Sequence, residues 1–332
     1  MQHSAAASLD VIAHDRYFTY VQPFDGVYFG LARPNAKVCC NALLIDLGGV
    51  AVAVDSHSRA SAARCVVEFA RSRRLEIGYL VNTHHHWDHT QGNSVYADLG
   101  ARVLAHPAAI EGMRRPGPKH FGIQQPDVQL ELDTALELRD TTSGRVRDRH
   151  ARDASDLQQY LAELPSLRRV LPDEPVADLK VLEGSRRSIR IWHPGQAHTS
   201  GDLIIDLPDD EAVATGDCLI AWTPFMGEAD PRSWAYVLDV IASGPSSTIF
   251  CGHGPLAGHG WLRMFQSYLR DLSSATEASL RRPGDADDRA AYVRLVLAEK
   301  YETIFNRHAG HYRPWHTLVL RNAIRMQELL AT

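Results

Sequence analysis

A cluster of histidine and aspartate side chains directly follows an apolar segment in the first third of the chain. Residues 83–89 read THHHWDH, and the preceding Ile77–Val81 has the apolar composition of a buried strand. Neutral imidazole nitrogens and carboxylate oxygens are the ligands that zinc and neighbouring transition metals prefer. We therefore expect a fold that places several metal-binding side chains at the end of a strand.

The spacing within this segment, HxHxDH, predicts two metal ions rather than one. His84 and His86 alternate, so an extended backbone projects both imidazoles to one side. Asp88 and His89 are consecutive and cannot follow that direction in an extended chain. A turn after His86 would direct them towards a second ion.

The overall composition is that of an ordinary globular protein with an excess of acid. The chain has 332 residues, of which 45% are hydrophobic and 23% are charged, and its formal net charge is -5. Such a chain has no general attraction for a phosphate backbone or an anionic membrane, so we expect neither as a partner. The longest apolar stretch, Ala42 to Val54, is broken by Asp46 and is too short to span a bilayer.

Cysteine usage predicts a reducing compartment. The 5 cysteines are odd in number and irregularly spaced, which argues against a disulfide framework. The first residues include Asp10, Asp15 and Arg16 and no apolar run, so they do not read as a secretory signal. We therefore expect a cytoplasmic protein.

Short β-branched runs alternate with amphipathic segments through much of the chain. Helices are expected over Ser58 to Arg74, with Ser58 as N-cap, and near Gly92–Leu99 and Arg232–Ala242. The tail is expected to be helical, because Leu262, Phe265, Tyr268, Leu269 and Leu272 share one face and Val319, Ala323, Met326 and Leu330 share another. The expected strands are Val27–Ala32, Ala42–Leu47, Val50–Val54, Ile77–Val81, Arg102–Ala105, Ser188–Trp192, Leu203–Leu207, Ala212–Thr215 and Thr248–Cys251.

The alternation fails between Arg114 and Lys180. This stretch is rich in proline and charge, and we expect only one helix in it, Ser155–Leu164. An irregular segment inside a regular scaffold is usually a lid or a surface insertion. The expected organisation is one catalytic domain over residues 20–260, with a candidate lid at 114–180 that includes Lys119, His120 and Phe121, and a helical C-terminal extension at 261–332.

Three more candidate ligands, His198, Asp217 and His253, each come shortly after one of the last expected strands and close to a glycine. Glycine lets the backbone bend tightly enough for a ligand to enter a crowded site. Each position alone is weak evidence, because a His or Asp beside a glycine is more often part of a turn. Their order after the HxHxDH segment carries the hypothesis.

This order, HxHxDH followed by His, Asp and His, resembles the metallo-β-lactamase superfamily over about Val27 to Gly260. The resemblance implies an α/β fold, the αβ/βα sandwich, to which the lid-like insertion and the helical extension would be additions. It implies one metal ion on His84, His86 and His198, a second on Asp88, His89 and His253, and Asp217 bridging both. Asp55 matches the aspartate that supports such a site from behind the ligands, and capping of the following helix is the alternative role.

The resemblance also implies a hydrolase with two zinc ions. A metal-bridging hydroxide would attack an ester, lactone, thioester or amide carbonyl of a small-molecule substrate, and Asp88 or Asp217 would accept the proton. Antibiotic-degrading members carry cysteine or serine where this chain has Asp217, and Cys218 is one position late. An aspartate there resembles the glyoxalase II, lactonase, sulfatase, nuclease and oxygen-reducing branches, so a β-lactamase is not favoured.

Other interpretations stay open. A non-haem iron oxidoreductase of the persulfide dioxygenase type would use the same ligands, whereas a flavodiiron enzyme would need a flavin domain for which the chain after Gly260 leaves no room. Net acidity and the lack of a basic stripe count against a nuclease. Trp87 and the apolar segment Trp222–Met226 either line the substrate site or pack beneath it. The substrate and the oligomeric state are not predicted. We expect the neighbouring histidines behind the ligands or at the surface, namely His85, His193 and His259.

Overall fold

The structure is a computed structural model that describes residues 10–33, 40–115, 125–309 and 315–331. The chain forms two compact units, each built on one β-sheet. The N-terminal unit comprises residues 10–175 with 184–186, and the C-terminal unit comprises 176–183 and the described chain from 187 onwards.

The N-terminal unit has a mixed sheet in which, among the described residues, eight strands lie in chain order. The first five strands pair antiparallel with their neighbours, and the fifth to the eighth pair parallel. The fifth strand therefore has one antiparallel and one parallel neighbour. The strands are β1 Val11–His14, β2 Phe18–Phe24, β3 Val27–Ala32, β4 Ala42–Asp46, β5 Ala51–Val54, β6 Ile77–Val81, β7 Arg102–Ala105 and β8 Glu174–Pro175. The helices are α1 Ala60–Ser72, α2 Trp87–Thr90, α3 Asn93–Ala97, α4 Pro107–Arg114, α5 Gln125–Thr141 and α6 Gly144–Glu163.

Helix α1 packs its predicted apolar face into the core of this unit. Ala63, Val66, Val67 and Ala70 are buried, with spacings of three and four residues that place them on one side of the helix. The predicted N-cap, Ser58, is wrong, because the helix begins after Arg59. The cap comes instead from the end of α6, where the Glu163 carboxylate accepts a hydrogen bond from the Ser61 backbone N–H at 2.6 Å.

The irregular segment between Arg114 and Lys180 was expected to contain one helix, Ser155–Leu164. It contains two long helices. The expected helix is the last part of α6, and α5 precedes it; the two pack against each other through a small apolar core that includes Val128, Leu132 and Leu157. The prediction missed α5 and the first half of α6 because charge and proline obscured the i, i+4, i+7 spacing of Val128, Leu132 and Ala135. Whether this segment is a lid stays a prediction, and its Lys119, His120 and Phe121 lie outside the described residues.

The C-terminal unit has a second sheet, in which the five described strands lie side by side in chain order. Neighbouring strands pair antiparallel except the last two of the chain, which pair parallel. The strands are β9 Leu179–Glu183, β10 Ser188–Trp192, β11 Ile204–Leu207, β12 Ala212–Gly216 and β13 Thr248–Cys251. The helices are α7 Pro231–Ser243, α8 His259–Ser279, α9 Ala286–Ala309 and α10 Trp315–Leu330.

The C-terminal helices share one hydrophobic core with this second sheet. Leu262, Phe265 and Leu272 of α8 are fully buried in the same cluster as Ile249 and Cys251 of β13. Their common face confirms the predicted amphipathic pattern of the tail. Aromatic rings fill the space between the last three helices, with Phe305 stacked on Trp315 at 5.8 Å between ring centroids.

The predicted α/β class is confirmed, since both sheets are flanked by helices. Each expected strand is present to within one residue at its ends, and β1, β2, β8 and β9 are additional. The domain boundaries predicted from the sequence stay a prediction. Within the described ranges, no helix has both the length and the apolar composition needed to cross a bilayer.

Candidate metal centre

His84 and His86 follow β6 of the N-terminal unit on a short connecting segment. Both are buried, at 0% and 8% exposure. His84 Nε2 and His86 Nδ1 lie 3.0 Å apart, so the alternation of the two residues does bring their ring nitrogens together. The pair offers two imidazole donors at one point.

A turn directly after His86 directs the next two candidate ligands away from the strand. His86 is extended, with φ -62° and ψ 147°, and Trp87 begins the single-turn helix α2. Asp88 and His89 are therefore carried by a helical turn, and His89 Nε2 lies 3.8 Å from the nearer oxygen of Asp88. Both are buried, whereas Trp87 between them and the histidine pair is partly exposed.

The Asp55 carboxylate fixes the orientation of the His89 ring. His89 Nδ1 lies 2.7 Å from Asp55 Oδ2, and the same carboxylate accepts hydrogen bonds from the backbone N–H and the hydroxyl of Thr83. With Nδ1 engaged, Nε2 is the nitrogen that His89 can present to a metal. Asp55 has φ +60°, a conformation that Asp and Asn tolerate better than most residues.

A buried polar network holds the backbone of His89 as well. Its carbonyl oxygen accepts hydrogen bonds from the Ser56 N–H at 2.8 Å, the Ser56 hydroxyl at 3.1 Å and Asn82 Nδ2 at 3.1 Å. Asn93 links these donors, because its side-chain amide forms two reciprocal hydrogen bonds with that of Asn82 and its Oδ1 also accepts a hydrogen bond from Ser56 Oγ. Both the ring and the main chain of His89 are therefore fixed.

Two other histidines lie close to this group. His57 is fully buried with φ +67°, its Nδ1 lies 3.3 Å from the Cys40 sulfur, and its Nε2 has no hydrogen-bond partner among the described residues. Burial, with a smaller contribution from the nearby His89, lowers the pKa of His57 to about 3, so the ring is neutral. His85 is buried against Gly112, where a Cβ atom would lie 2.6 Å from the His85 ring. Glycine at 112 makes room for it.

In the C-terminal unit, His198 lies in a turn that is closed by Asp202. The Asp202 carboxylate accepts hydrogen bonds from the Ala197 N–H, the Thr199 N–H and the Thr199 hydroxyl, the last at 2.7 Å. Burial raises the pKa of Asp202 to about 7, although these bonds oppose the shift. The His198 ring also packs edge-on against Trp234, with 5.6 Å between centroids.

Asp217 follows β12 and lies next to two imidazoles of its own unit. Its Oδ2 is 3.5 Å from His198 Nε2 and 3.2 Å from His253 Nε2. A Cβ atom at Gly252 would lie 2.2 Å from Asp217 Oδ1 and 2.9 Å from the Gly216 carbonyl carbon, so only glycine leaves space for this arrangement. Gly252, the residue before His253, thus leaves space for the Asp217 carboxylate.

Two residues shortly after Asp217, Ala221 and Trp222, contact His253. Trp222 is partly exposed, and its ring lies 4.8 Å from that of His253 with an interplanar angle of 37°. The neighbouring Cys218 is fully buried, and burial raises the pKa of its thiol well above the usual range. That Cys218 points away from the ligands stays a prediction.

The spacing of the donors within each unit suits a metal ion. Two ligand atoms on one tetrahedral zinc, each at about 2.0–2.1 Å, lie about 3.3 Å apart. Three ligand pairs have comparable spacings: 3.0 Å for His84–His86, 3.2 Å for His253–Asp217 and 3.5 Å for His198–Asp217. The donors are imidazole and carboxylate, the set that zinc and iron both accept.

The structure thus groups the seven predicted ligands by unit: His84, His86, Asp88 and His89 in one, and His198, Asp217 and His253 in the other. Sequence reasoning missed the residues that hold them, above all Asp202, Asn82 and Asn93. Asp202 had a local signal, since a carboxylate three residues after Thr199 can accept the N–H groups of a turn. His193 and His259 are both partly exposed, and His193 Nδ1 lies 2.8 Å from the Asp202 carbonyl oxygen.

Comparison with known proteins supports the resemblance. A family model for the metallo-beta-lactamase superfamily matches residues 39–253, well over half of the chain. The metallo-β-lactamase from Erythrobacter litoralis, with β-mercaptoethanol in its active site, is 16% identical with a TM-score of 0.55, covering 79% of this chain and 100% of its own. FIM-1 from Pseudomonas aeruginosa, in its mono-zinc form, is 16% identical with a TM-score of 0.52, covering 78% and 97%.

At such low identity these structures establish the fold, and the family match over residues 39–253 establishes membership. The fold class and the resemblance predicted from the HxHxDH, His, Asp, His order are both confirmed. This chain belongs to the metallo-β-lactamase superfamily.

Proposed function

We propose that this protein is a hydrolase that depends on two zinc ions. His84, His86 and His198 bind the first ion, Asp88, His89 and His253 bind the second, and Asp217 bridges them. The observation that carries this proposal is the position of Asp217 Oδ2, within 3.5 Å of two imidazole nitrogens in its own unit. That the two groups share one centre rests on the order of the ligands and on family membership.

Zinc is favoured over softer metals by the donor set. Five imidazoles and two carboxylates supply only nitrogen and oxygen, and burial keeps the pKa of the nearby Cys218 thiol high. One of the similar structures, FIM-1, carries a single zinc. Iron accepts the same donors, so metal analysis must accompany any activity assay.

When bound, two such ions lower the pKa of a shared water and polarise a substrate carbonyl. The residues of this chain then have distinct tasks. Asp55 keeps the His89 ring in one tautomer, and Asp202 keeps the His198 turn closed. Asp88 or Asp217 accepts the proton released when the attacking oxygen bonds to carbon.

The substrate class is a small molecule with an ester, lactone, thioester or amide carbonyl. Trp222, which is partly exposed beside His253, supplies an apolar surface for the group next to that carbonyl. Asp217, in place of the cysteine or serine of antibiotic-degrading members, favours lactones and thioesters over β-lactams.

The test is a metal count on purified protein, followed by a panel of lactone, thioester, aryl ester, β-lactam and phosphodiester substrates. We expect two zinc ions per chain and turnover of at least one carbonyl substrate. Asp217→Ala should lose most of the activity and one equivalent of metal, whereas the exposed Asp287→Ala should lose neither.

Two results would overturn the proposal. An Asp217→Ala protein that keeps two bound ions and full turnover would remove the bridging role. Bound iron, with oxygen consumption on glutathione persulfide and no hydrolysis of the panel, would establish the oxidoreductase alternative instead.

A further inference from the structure

A buried asparagine of the last helix is bonded to the segment that follows Asp217. Asn322 lies in α10 and is 1% exposed. Its Nδ2 donates to the Pro224 carbonyl at 2.8 Å and to the Tyr268 hydroxyl at 3.2 Å, and its Oδ1 accepts from the Met226 N–H at 3.2 Å. One amide therefore satisfies a carbonyl and an N–H of the same short segment.

The same segment also contacts the candidate metal centre. Trp222 lies against the His253 ring with 4.8 Å between centroids. Just before it, the Ala221 N–H donates to the His253 carbonyl at 3.1 Å, and the Ile220 carbonyl accepts from Trp261 Nε1 at 2.9 Å. Residues 220–226 thus contact the predicted ligand His253 at one end and the side-chain amide of Asn322 at the other.

Asn322 supplies hydrogen-bond partners for the backbone of residues 220–226. Between β12 and α7 the backbone belongs to no strand or helix, so its buried polar groups need partners from elsewhere. Pro224 and Met226 are buried, so water cannot replace the asparagine without the segment opening. Loss of this amide should therefore leave Trp222 held from one side only, by the Ala221 and Ile220 bonds, and let its ring move relative to the His253 ring.

We propose that Asn322 is a positioning residue that fixes Trp222 beside His253 and thereby sets which substrate groups fit next to the metal ions. The specificity part of this inference rests on the proposed hydrolase function. The positioning part does not, because it concerns only the contact between Trp222 and His253.

The experiment compares Asn322→Leu with Gln327→Leu in the metal-loaded protein. Gln327 is a matched control, because it is also a buried amide of α10 but donates to the Ala286 carbonyl, away from the 220–226 segment. Asn322→Leu removes three hydrogen bonds and Gln327→Leu removes one, so the free energy of unfolding of each variant is measured beside the two readouts. Metal content should stay at the wild-type value in both.

The first readout needs no activity. Protein labelled with 5-fluorotryptophan gives a fluorine resonance for Trp222, assigned with a Trp222→Phe variant. We expect Asn322→Leu to shift or broaden this resonance and Gln327→Leu to leave it unchanged. An unchanged Trp222 resonance in Asn322→Leu would overturn the proposal even if the protein hydrolyses nothing.

The second readout is the split between KM and kcat on the best substrate of the panel. We expect Asn322→Leu to raise KM about tenfold and to change kcat less than threefold, with a different ranking of substrates that vary beside the carbonyl. Equal effects of Asn322→Leu and Gln327→Leu on KM would contradict the specificity part. If Asn322→Leu does not fold, the same two measurements are made on Asn322→Ser. Its shorter side chain cannot form the bonds to both Pro224 and Met226.

Discussion

The side chain of His89 illustrates how completely this chain fixes a candidate ligand. Asp55 engages its Nδ1 at 2.7 Å, and three donors from Ser56 and Asn82 converge on its carbonyl oxygen. Such supporting groups set the tautomer and the direction of a metal-binding imidazole. Their substitution should therefore weaken metal binding without touching a ligand.

Asp55→Asn tests this directly. Asparagine has the same shape and tolerates φ +60°, so the backbone should not change. Without the carboxylate charge on Nδ1–H, we expect the affinity for zinc to fall by roughly 10–100-fold. The measurement is competition with a chelator of known affinity, and an affinity equal to that of the wild type would show that the Asp55–His89 contact does not support metal binding.

His57 gives the protein a specific sensitivity to acid. Burial lowers its pKa from the ordinary 6.5 to about 3 in the folded state, so the unfolded chain binds a proton that the folded chain does not. Stability from this residue is complete above pH 6.5 and is lost as the pH falls towards 3, by about 1.4 kcal/mol per pH unit.

His57→Asn should remove this dependence, since asparagine also tolerates φ +67°. Urea unfolding of the metal-free proteins between pH 7 and pH 4 gives the free energy of unfolding as a function of pH. The slope of that curve should correspond to about one proton fewer in the variant than in the wild type. Parallel stability curves would mean that His57 titrates normally in the folded chain.

The seven candidate ligands were named from the sequence, whereas the residues that support them were not. Histidine and aspartate at strand ends have a recognisable order, and the turn after His86 was expected from the adjacency of Asp88 and His89. The role of Asp202 was not predicted, because it depends on a turn closing on itself. Asn93 and Asn82 are eleven residues apart and give no periodic signal.

Among the helices and strands, α1 depends on a partner that is remote in sequence. Glu163, at the end of α6, accepts from the Ser61 N–H and hydroxyl and pairs with Arg59 at 3.2 Å. Arg59 is 1% exposed and lies between the rings of Tyr17 and Tyr160, so its charge is neutralised mainly by this carboxylate. A helix cap and an ion pair thus connect the end of α6 to α1 within the N-terminal unit.

Glu163→Ala should therefore lower the free energy of unfolding by about 3 kcal/mol, because it leaves a buried guanidinium without its counter-charge. Glu137→Ala, an exposed glutamate of α5, is the control and should change stability by less than about 0.5 kcal/mol. Urea unfolding measures both. Equal values for the two variants would mean that Glu163 neither caps α1 nor compensates Arg59.

Element prediction succeeded where the apolar pattern was local and failed where it was diluted. The nine expected strands are present because short β-branched runs between glycines have few alternatives. Strand β2 was missed although Phe18 and Tyr20 alternate as buried residues, because Asp15, Arg16 and Pro23 surround them. Helix α5 was missed because its leucines lie on more than one face: Leu130 and Leu138 are exposed, whereas Leu132 is buried.

Considered as one protein, the chain distributes its candidate ligands over both compact units, four in one and three in the other. Family and ligand order were readable from the sequence because metal binding needs those residue types and the order in which they occur resembles that of one superfamily. The substrate was not readable, since one fold supports many reactions and a segment such as 222–226 carries no general signature.

Diffraction at the zinc absorption edge, from crystals grown with zinc, tests the proposed centre most directly. We predict two anomalous peaks about 3.5–4 Å apart. One should be bound by His84, His86 and His198 and the other by Asp88, His89 and His253, with Asp217 contacting both. No peak at these residues, or His84, His198 and His253 lying too far apart to share a pair of ions, would contradict the proposal.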